Sequence, residues 1–137
     1  MTSDATSPNL AVAESIYAAL DAEDIGTFVS LCAEDVVIRY PAPGILPYGG
    51  TWHGHDGVRD FLEAHDEAEE ILAFEPTHMA AEGDLVFVLG NFEGRAKPTG
   101  VVWSTDFVHV LSVVSGQLRR WDGYFDSAAA VRAHHGE

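Results

Sequence analysis

Basic side chains are scarce in this chain of 137 residues. Seven Lys and Arg residues stand against 22 Asp and Glu residues, which gives a formal net charge of -15. The negative electrostatic field of such a protein repels phosphate backbones and anionic lipid headgroups. We therefore expect no nucleic-acid partner and no membrane partner.

Cysteine and long apolar runs are also nearly absent. The one cysteine, Cys32, allows no disulfide within the chain, and it lies in the apolar pattern of a predicted helix, as expected of a small core residue. No apolar run approaches 18 residues, and the N-terminus has neither a basic start nor the apolar segment of a signal peptide. These features predict a cytoplasmic protein.

Several motifs that carry known chemistry are missing. The chain contains no G-x-S-x-G nucleophile motif and no Gly-rich phosphate loop. His53, His55 and His65 are spaced unlike any standard zinc site. We therefore expect no metal ion and no cofactor.

The apolar pattern that is present fits one domain, residues 1–137, with residues 1–8 as a flexible tail. Segments with a 3.6-residue period predict helices over 9–20, 25–33, 56–70 and 127–135. Runs rich in β-branched and aromatic residues predict strands over 36–40, 74–81, 84–91, 101–114 and 117–126. This order predicts an α+β fold, in which a curved antiparallel sheet wraps around three N-terminal helices and a short helix ends the chain.

The last two strands form a hairpin around Ser115 and Gly116, and its register decides what faces His109. A two-residue turn would place His109 opposite Asp122, which would create a general-base dyad of imidazole and carboxylate. A three-residue loop would place His109 opposite Trp121 and turn Asp122 away. We prefer the second register because it gathers the apolar side chains on one face. The candidate catalytic residues are His109, which lies in the pocket in the preferred register, and Asp122, which would join it in the two-residue-turn register.

Aromatic residues are frequent in the segments that surround this hairpin. Many aromatic side chains around one cavity suit a flat hydrophobic ligand with few polar groups. The hydroxyls of Tyr17 and Tyr40 could in addition donate to a carbonyl oxygen. The candidate ligand-binding residues are Tyr17, Tyr40, Trp52, Phe61, Trp103, Phe107, Trp121 and Phe125.

The order of elements, the segment GTWHGHDGV at 50–58 and the final GQLRRWDGYFDSAAA at 116–130 resemble the nuclear transport factor 2-like superfamily. Within it, the chain is most similar to SnoaL-like, ketosteroid isomerase-related proteins, from about Leu10 to Val131. The resemblance implies a cone-shaped sheet and a homodimer built on the outer sheet face. It also implies isomerase- or polyketide cyclase-like proton transfer, without a cofactor, on a small hydrophobic carbonyl compound in an enclosed pocket.

Ketosteroid isomerases use an Asp base, with a Tyr and a protonated Asp that hold the oxyanion. In this sequence the oxyanion Tyr would fall on Ile16, the base on Tyr40 and the protonated Asp on or near His109. All three positions depart from the pattern, so we do not expect steroid-type isomerisation by the usual groups. The alternatives to an enzyme are a non-catalytic hydrophobic-ligand-binding dimer and a partner-binding scaffold with a vestigial cavity.

Overall fold

The computed structural model describes residues 7–137. Most of the predicted flexible tail, residues 1–6, lies outside the described residues, and Pro8 already begins the first helix. The helices are α1 (Pro8–Asp21), α2 (Ile25–Ser30), α3 (Gly54–Ala68) and α4 (Ser127–His134). The strands are β1 (Cys32–Tyr40), β2 (Gly50–His53), β3 (Glu69–Glu82), β4 (Leu85–Ala96), β5 (Val102–Val114) and β6 (Gln117–Phe125).

The six strands form one curved sheet in the order β2-β1-β6-β5-β4-β3. The predicted α+β class, the three N-terminal helices and the short C-terminal helix are confirmed. The sheet differs from the expected antiparallel one in a single pairing, because β1 runs parallel to β6. Both strands start at the same end of the sheet, where Cys32 pairs with Leu118. Apolar periodicity does not show whether two neighbouring strands run parallel or antiparallel.

Local capping explains where the short helices begin. The Asp24 side chain accepts a hydrogen bond from the Thr27 amide at 3.1 Å, and Asp126 does the same for the Ala129 amide at 3.0 Å. Helix α2 ends at Ser30, so the prediction that Cys32 is helical is wrong, and Cys32 is instead a buried residue of β1. The error arises because a buried helix and a buried strand are both continuously apolar at this point.

The β5–β6 hairpin has the two-residue turn, but neither predicted register is correct along its whole length. Ser115 and Gly116 have positive φ angles of 53° and 78°, as a type I′ turn requires. A β-bulge then leaves Arg119 without a partner, because Val113 pairs with Leu118 while the preceding residue pairs with Arg120.

The bulge shifts the pairing so that His109 lies opposite Gly123. His109 therefore shares the inner face with Trp121 and Phe125, which is the arrangement of faces that the second register predicted. Asp122 lies opposite Val110 on the other face. The preferred arrangement of faces is correct, although a bulge rather than a three-residue loop produces it.

The two sides of the sheet differ in what covers them. Helices α1, α2 and α3 pack on the concave side and bury residues such as Ile16, Phe28 and Val58. The opposite side, here called the outer sheet face, carries exposed apolar side chains on β4, β5 and β6. Within residues 7–137, no helix combines the length and the hydropathy needed to cross a bilayer.

Candidate functional site

A cavity of about 570 Å³ lies between the concave side of the sheet and the helices. Its size falls within the range of small-molecule sites, roughly 300–1,000 Å³. The mouth carries charged residues of α3, including Arg59, Glu63 and Asp66. The interior is mainly aromatic, and its rings belong to Phe28, Tyr40, Tyr48, Phe61, Phe74, Phe92, Trp103, Phe107, Trp121 and Phe125, with the imidazoles of His65 and His109.

His109 forms part of the cavity floor and is only 2% exposed. Its ring stacks against Phe107, with 4.2 Å between the ring centroids, and lies 4.6 Å from Trp121. Each ring nitrogen faces a tyrosine hydroxyl: Tyr17 Oη lies 2.6 Å from Nδ1, and Tyr40 Oη lies 3.5 Å from Nε2. The imidazole is therefore held between one hydroxyl on the core side and one on the cavity side.

Burial determines the protonation of this group. Loss of hydration lowers the pKa of His109 to about 3, so its imidazole is neutral at neutral pH. Burial raises the pKa values of Tyr17 and Tyr40, so both hydroxyls keep their protons. The three side chains thus form a hydrogen-bonded set that carries no net charge at neutral pH.

A second imidazole, that of His65 on α3, also lines the cavity. Burial lowers its pKa to about 4, so it too is neutral near pH 7. Its ring lies 4.6 Å from the ring of Tyr48. The candidate residues from the sequence did not include His65, although its spacing of four residues from Phe61 places both on one face of the helix.

One wall of the cavity is supported by a buried carboxylate, Glu69, whose side chain is fully buried. It accepts hydrogen bonds from the Tyr48 hydroxyl at 3.1 Å and the Trp103 indole at 3.0 Å, and its Oε1 lies 2.7 Å from His134 Nε2. These contacts fix two cavity-lining rings and connect them to α4. No sequence pattern indicated this role, because Glu69 precedes another glutamate, Glu70, in an acidic pair typical of solvated positions.

Asp122 does not approach His109, so the register with a His–Asp dyad is wrong. Its carboxylate accepts hydrogen bonds from Arg39 at 2.8 Å and Arg120 at 2.9 Å on the outer sheet face. Burial alone would raise the pKa of Asp122, but the hydrogen bonds from Arg120 and Arg39 hold it below its ordinary value. Asp122 lies on the outer sheet face because the bulge in β6 shifts the pairing by one residue, and such a shift moves each side chain to the opposite face.

The structure gathers most of the predicted ligand-binding residues around the cavity. Tyr40, Phe61, Trp103, Phe107, Trp121 and Phe125 all line it. Two predicted residues do not: Tyr17 contacts His109 from the core side, and the Trp52 indole donates to the Tyr48 carbonyl oxygen at 3.2 Å.

The candidate ligand-binding residues left out four aromatic residues of the lining, which are Phe28, Tyr48, Phe74 and Phe92. Phe74 and Phe92 face each other across β3 and β4. Counting from the turn at Gly83 would place Phe74 opposite Glu93, and a register shift between Pro76 and His78 moves it to Phe92, so the turn alone could not reveal this pairing.

The histidines considered for a metal site do not converge. His55 Nε2 lies 2.9 Å from the carbonyl oxygen of Cys32, and His53 is exposed at the end of β2. In the part of the chain from residue 7 onward, no three His, Cys, Asp or Glu side chains form a potential metal site.

Comparison with known proteins identifies similar chains. A family model described as SnoaL-like domain matches residues 13–121, whereas no curated protein matches. An NTF2-like protein from Burkholderia xenovorans LB400 is 28% identical, with a TM-score of 0.85 and coverage of 93% of this chain and 95% of that one. An NTF2-like protein from Burkholderia pseudomallei K96243 is 29% identical, with a TM-score of 0.83 and coverage of 93% and 97%.

A third similar structure is that of TerC co-crystallised with polyporic acid. It is 28% identical, with a TM-score of 0.81, and the alignment covers 94% of this chain and 99% of TerC. The region matched by the family model contains Tyr40, His109 and Trp121, which line the cavity, and Tyr17, which contacts His109 from the core side.

Proposed function

The chain belongs to the SnoaL-like domain family, and from this premise we propose that it is an enzyme of the isomerase or cyclase type. Its substrate is a small hydrophobic carbonyl compound that occupies the aromatic cavity. The reaction needs no cofactor, and proton transfer to the carbonyl group passes through the His109–Tyr40 pair.

The position of His109 is the observation that carries this proposal. A neutral imidazole at the floor of an apolar cavity, with a hydroxyl at each ring nitrogen, holds the Tyr40 hydroxyl where it can donate to the carbonyl oxygen of the substrate, while solvent water at the cavity mouth takes the α-proton and later returns a proton to the carbon. A carbonyl group gains reactivity towards enolisation or ring closure when a donor stabilises the negative charge that develops on its oxygen. The aromatic walls supply apolar contact but no competing charge.

Hydrogen–deuterium exchange tests this proposal without knowledge of the natural substrate. We expect the protein to accelerate exchange at the carbon next to the carbonyl of α-tetralone in heavy water, followed by NMR. His109→Gln should slow that exchange about 100-fold or more, which is typical of the loss of a positioned donor to the developing oxyanion, because Tyr40 then loses the partner that orients its hydroxyl. His78→Gln is the matched control, because His78 is exposed on β3 outside the cavity. Equal exchange in the His109 variant and the wild type would refute the proposal.

A non-catalytic binding module is the second candidate, and the largely apolar lining favours it. Polyporic acid, the compound co-crystallised with TerC, is the first ligand to test for binding to this chain. Tight binding that survives His109→Gln, without exchange or turnover, would favour this function over catalysis.

We propose further that the protein forms a homodimer through the outer sheet face. Leu89 of β4, Val108 of β5 and Tyr124 of β6 are paired neighbours, and they form an exposed apolar row across three strands. A second copy of this face would remove the row from water. Light scattering should show a dimer that Leu89→Lys converts to monomer. Ile45→Lys should keep the dimer, since Ile45 is exposed in a loop away from the sheet.

A further inference from the structure

The floor of the cavity contains a hydrogen-bond donor without an acceptor. Trp121 is 4% exposed, and its indole nitrogen Nε1 is the single buried side-chain N or O atom in residues 7–137 that lacks a partner. Buried donors in native proteins are almost always paired, so an unpaired one that lines a cavity points to an acceptor brought by a ligand.

The hydrogen bond of Tyr17 determines which nitrogen of His109 carries the proton. Tyr17 does not line the cavity, and its hydroxyl has no other partner within the described residues than His109 Nδ1, 2.6 Å away. If Tyr17 accepted a proton from Nδ1, its own proton would be buried without an acceptor, which is costly. Tyr17 therefore donates to Nδ1, and the proton of the neutral imidazole lies on Nε2.

The same reasoning fixes the direction of the hydroxyl of Tyr40. With a proton on Nε2, His109 can only donate towards Tyr40 Oη, which lies 3.5 Å away. The Tyr40 proton then has no acceptor in the described part of the chain, and Tyr40 lines the cavity. Burial raises the pKa of Tyr40, so its hydroxyl stays protonated. A hydrogen bond from the Trp121 indole would act against this rise, which places the two groups close together, but the geometry does not complete that bond.

We propose that Tyr40 O–H and Trp121 Nε1–H together bind an acceptor oxygen of the ligand, either a carbonyl oxygen or the enolate oxygen formed from it. Both groups are donors that lack protein acceptors at one end of the cavity, so an oxygen with free lone pairs satisfies both. His109 is a positioning residue for Tyr40, because it donates to the Tyr40 oxygen and leaves the hydroxyl proton to the ligand. The inference rests on the proposed function in taking the ligand to be a carbonyl compound.

The proposal predicts a preference for a ketone over a hydrocarbon of the same shape. We expect α-tetralone to bind the wild-type protein about tenfold more tightly than tetralin, as two hydrogen bonds formed in place of unpaired donors imply. Tyr40→Phe should reduce this ratio to roughly threefold or less, with the dissociation constant of tetralin unchanged. The unchanged binding of tetralin controls for the integrity of the cavity in the variant.

NMR supplies readouts that a purely structural role would not move. The Trp121 indole N–H resonance, assigned by its loss in Trp121→Phe, should shift downfield on addition of α-tetralone but not of tetralin. The nitrogen shifts of His109 should show the proton on Nε2. A proton on Nδ1, equal affinities of the wild type for the two compounds, or an undiminished ketone preference in Tyr40→Phe would each overturn the proposal.

These outcomes separate this inference from the proposed function. A ketone preference that Tyr40→Phe reduces, together with no acceleration of deuterium exchange, supports the oxygen site and refutes catalysis. Exchange without a ketone preference supports catalysis and refutes the oxygen site. If neither compound binds, both proposals are refuted.

Discussion

Replacing His109 should make the protein less sensitive to mild acid. The pKa of His109 is about 3 in the folded protein against 6.5 ordinarily, because burial disfavours the charged ring. Below pH 6.5 the unfolded chain therefore binds a proton that the folded chain does not. The stabilisation that comes from this difference is complete above pH 6.5 and is lost progressively as the pH falls towards 3.

The size of the effect follows from the two pKa values. At pH 5 the unfolded histidine is almost fully protonated, and linkage gives a loss of roughly 1.6 kcal/mol of unfolding free energy between pH 6.5 and 5. His65, with a pKa of about 4, contributes a similar loss in the same direction. The wild type should therefore lose about 3 kcal/mol over this range from the two imidazoles, and His109→Gln about half of that. Carboxylates titrate mainly below this range.

Urea denaturation at a series of pH values measures the difference directly, because linear extrapolation gives the unfolding free energy at each pH. Phe74→Leu is the control: it perturbs the wall beside His109 but leaves both imidazoles in place, so it should lower stability equally at every pH. If wild type and His109→Gln lose the same free energy between pH 6.5 and 5, the conclusion that His109 is buried and neutral is incorrect.

Two further substitutions test the packing of the cavity walls. Glu69→Gln should lower the unfolding free energy measured by calorimetry by about 3 kcal/mol, because the buried carboxylate accepts three side-chain hydrogen bonds. The control Glu70→Gln should lower it by less than about 1 kcal/mol, because Glu70 is exposed. Equal losses in the two variants would contradict the role of Glu69. Gly123→Ala would place its Cβ 2.6 Å from Tyr40 Cε1, so we expect a loss of about 1–3 kcal/mol and weaker binding of α-tetralone. Gly26→Ala in helix α2, whose Cβ meets only Asp24 at 3.8 Å, should lower neither quantity, because Ala favours the helix, and a similar loss in the two variants would count against this packing.

Elements with a repeating apolar pattern were predictable, and junctions between them were not. The periodicity of α1 and α3 and the β-rich runs of β4, β5 and β6 gave the correct element types. The boundary between α2 and β1 was missed at Cys32. The residues before and after it are largely apolar, so few polar positions distinguish the helical period of 3.6 from the strand period of 2. The extra residue Arg119 was missed as well, since a bulge depends on the paired strand as much as on its own sequence.

The sequence by itself determined the class of fold, the family resemblance and the presence of one histidine within an aromatic strand. These properties follow from local patterns and residue types, which each segment carries alone. Only the tertiary structure decided that Tyr17 and Tyr40 meet His109 from opposite sides, that Asp122 turns to the outer sheet face, and that Trp121 keeps an unpaired donor at the cavity. Those facts depend on contacts between residues up to 92 positions apart, and on one bulge that sets which side of the sheet each side chain occupies.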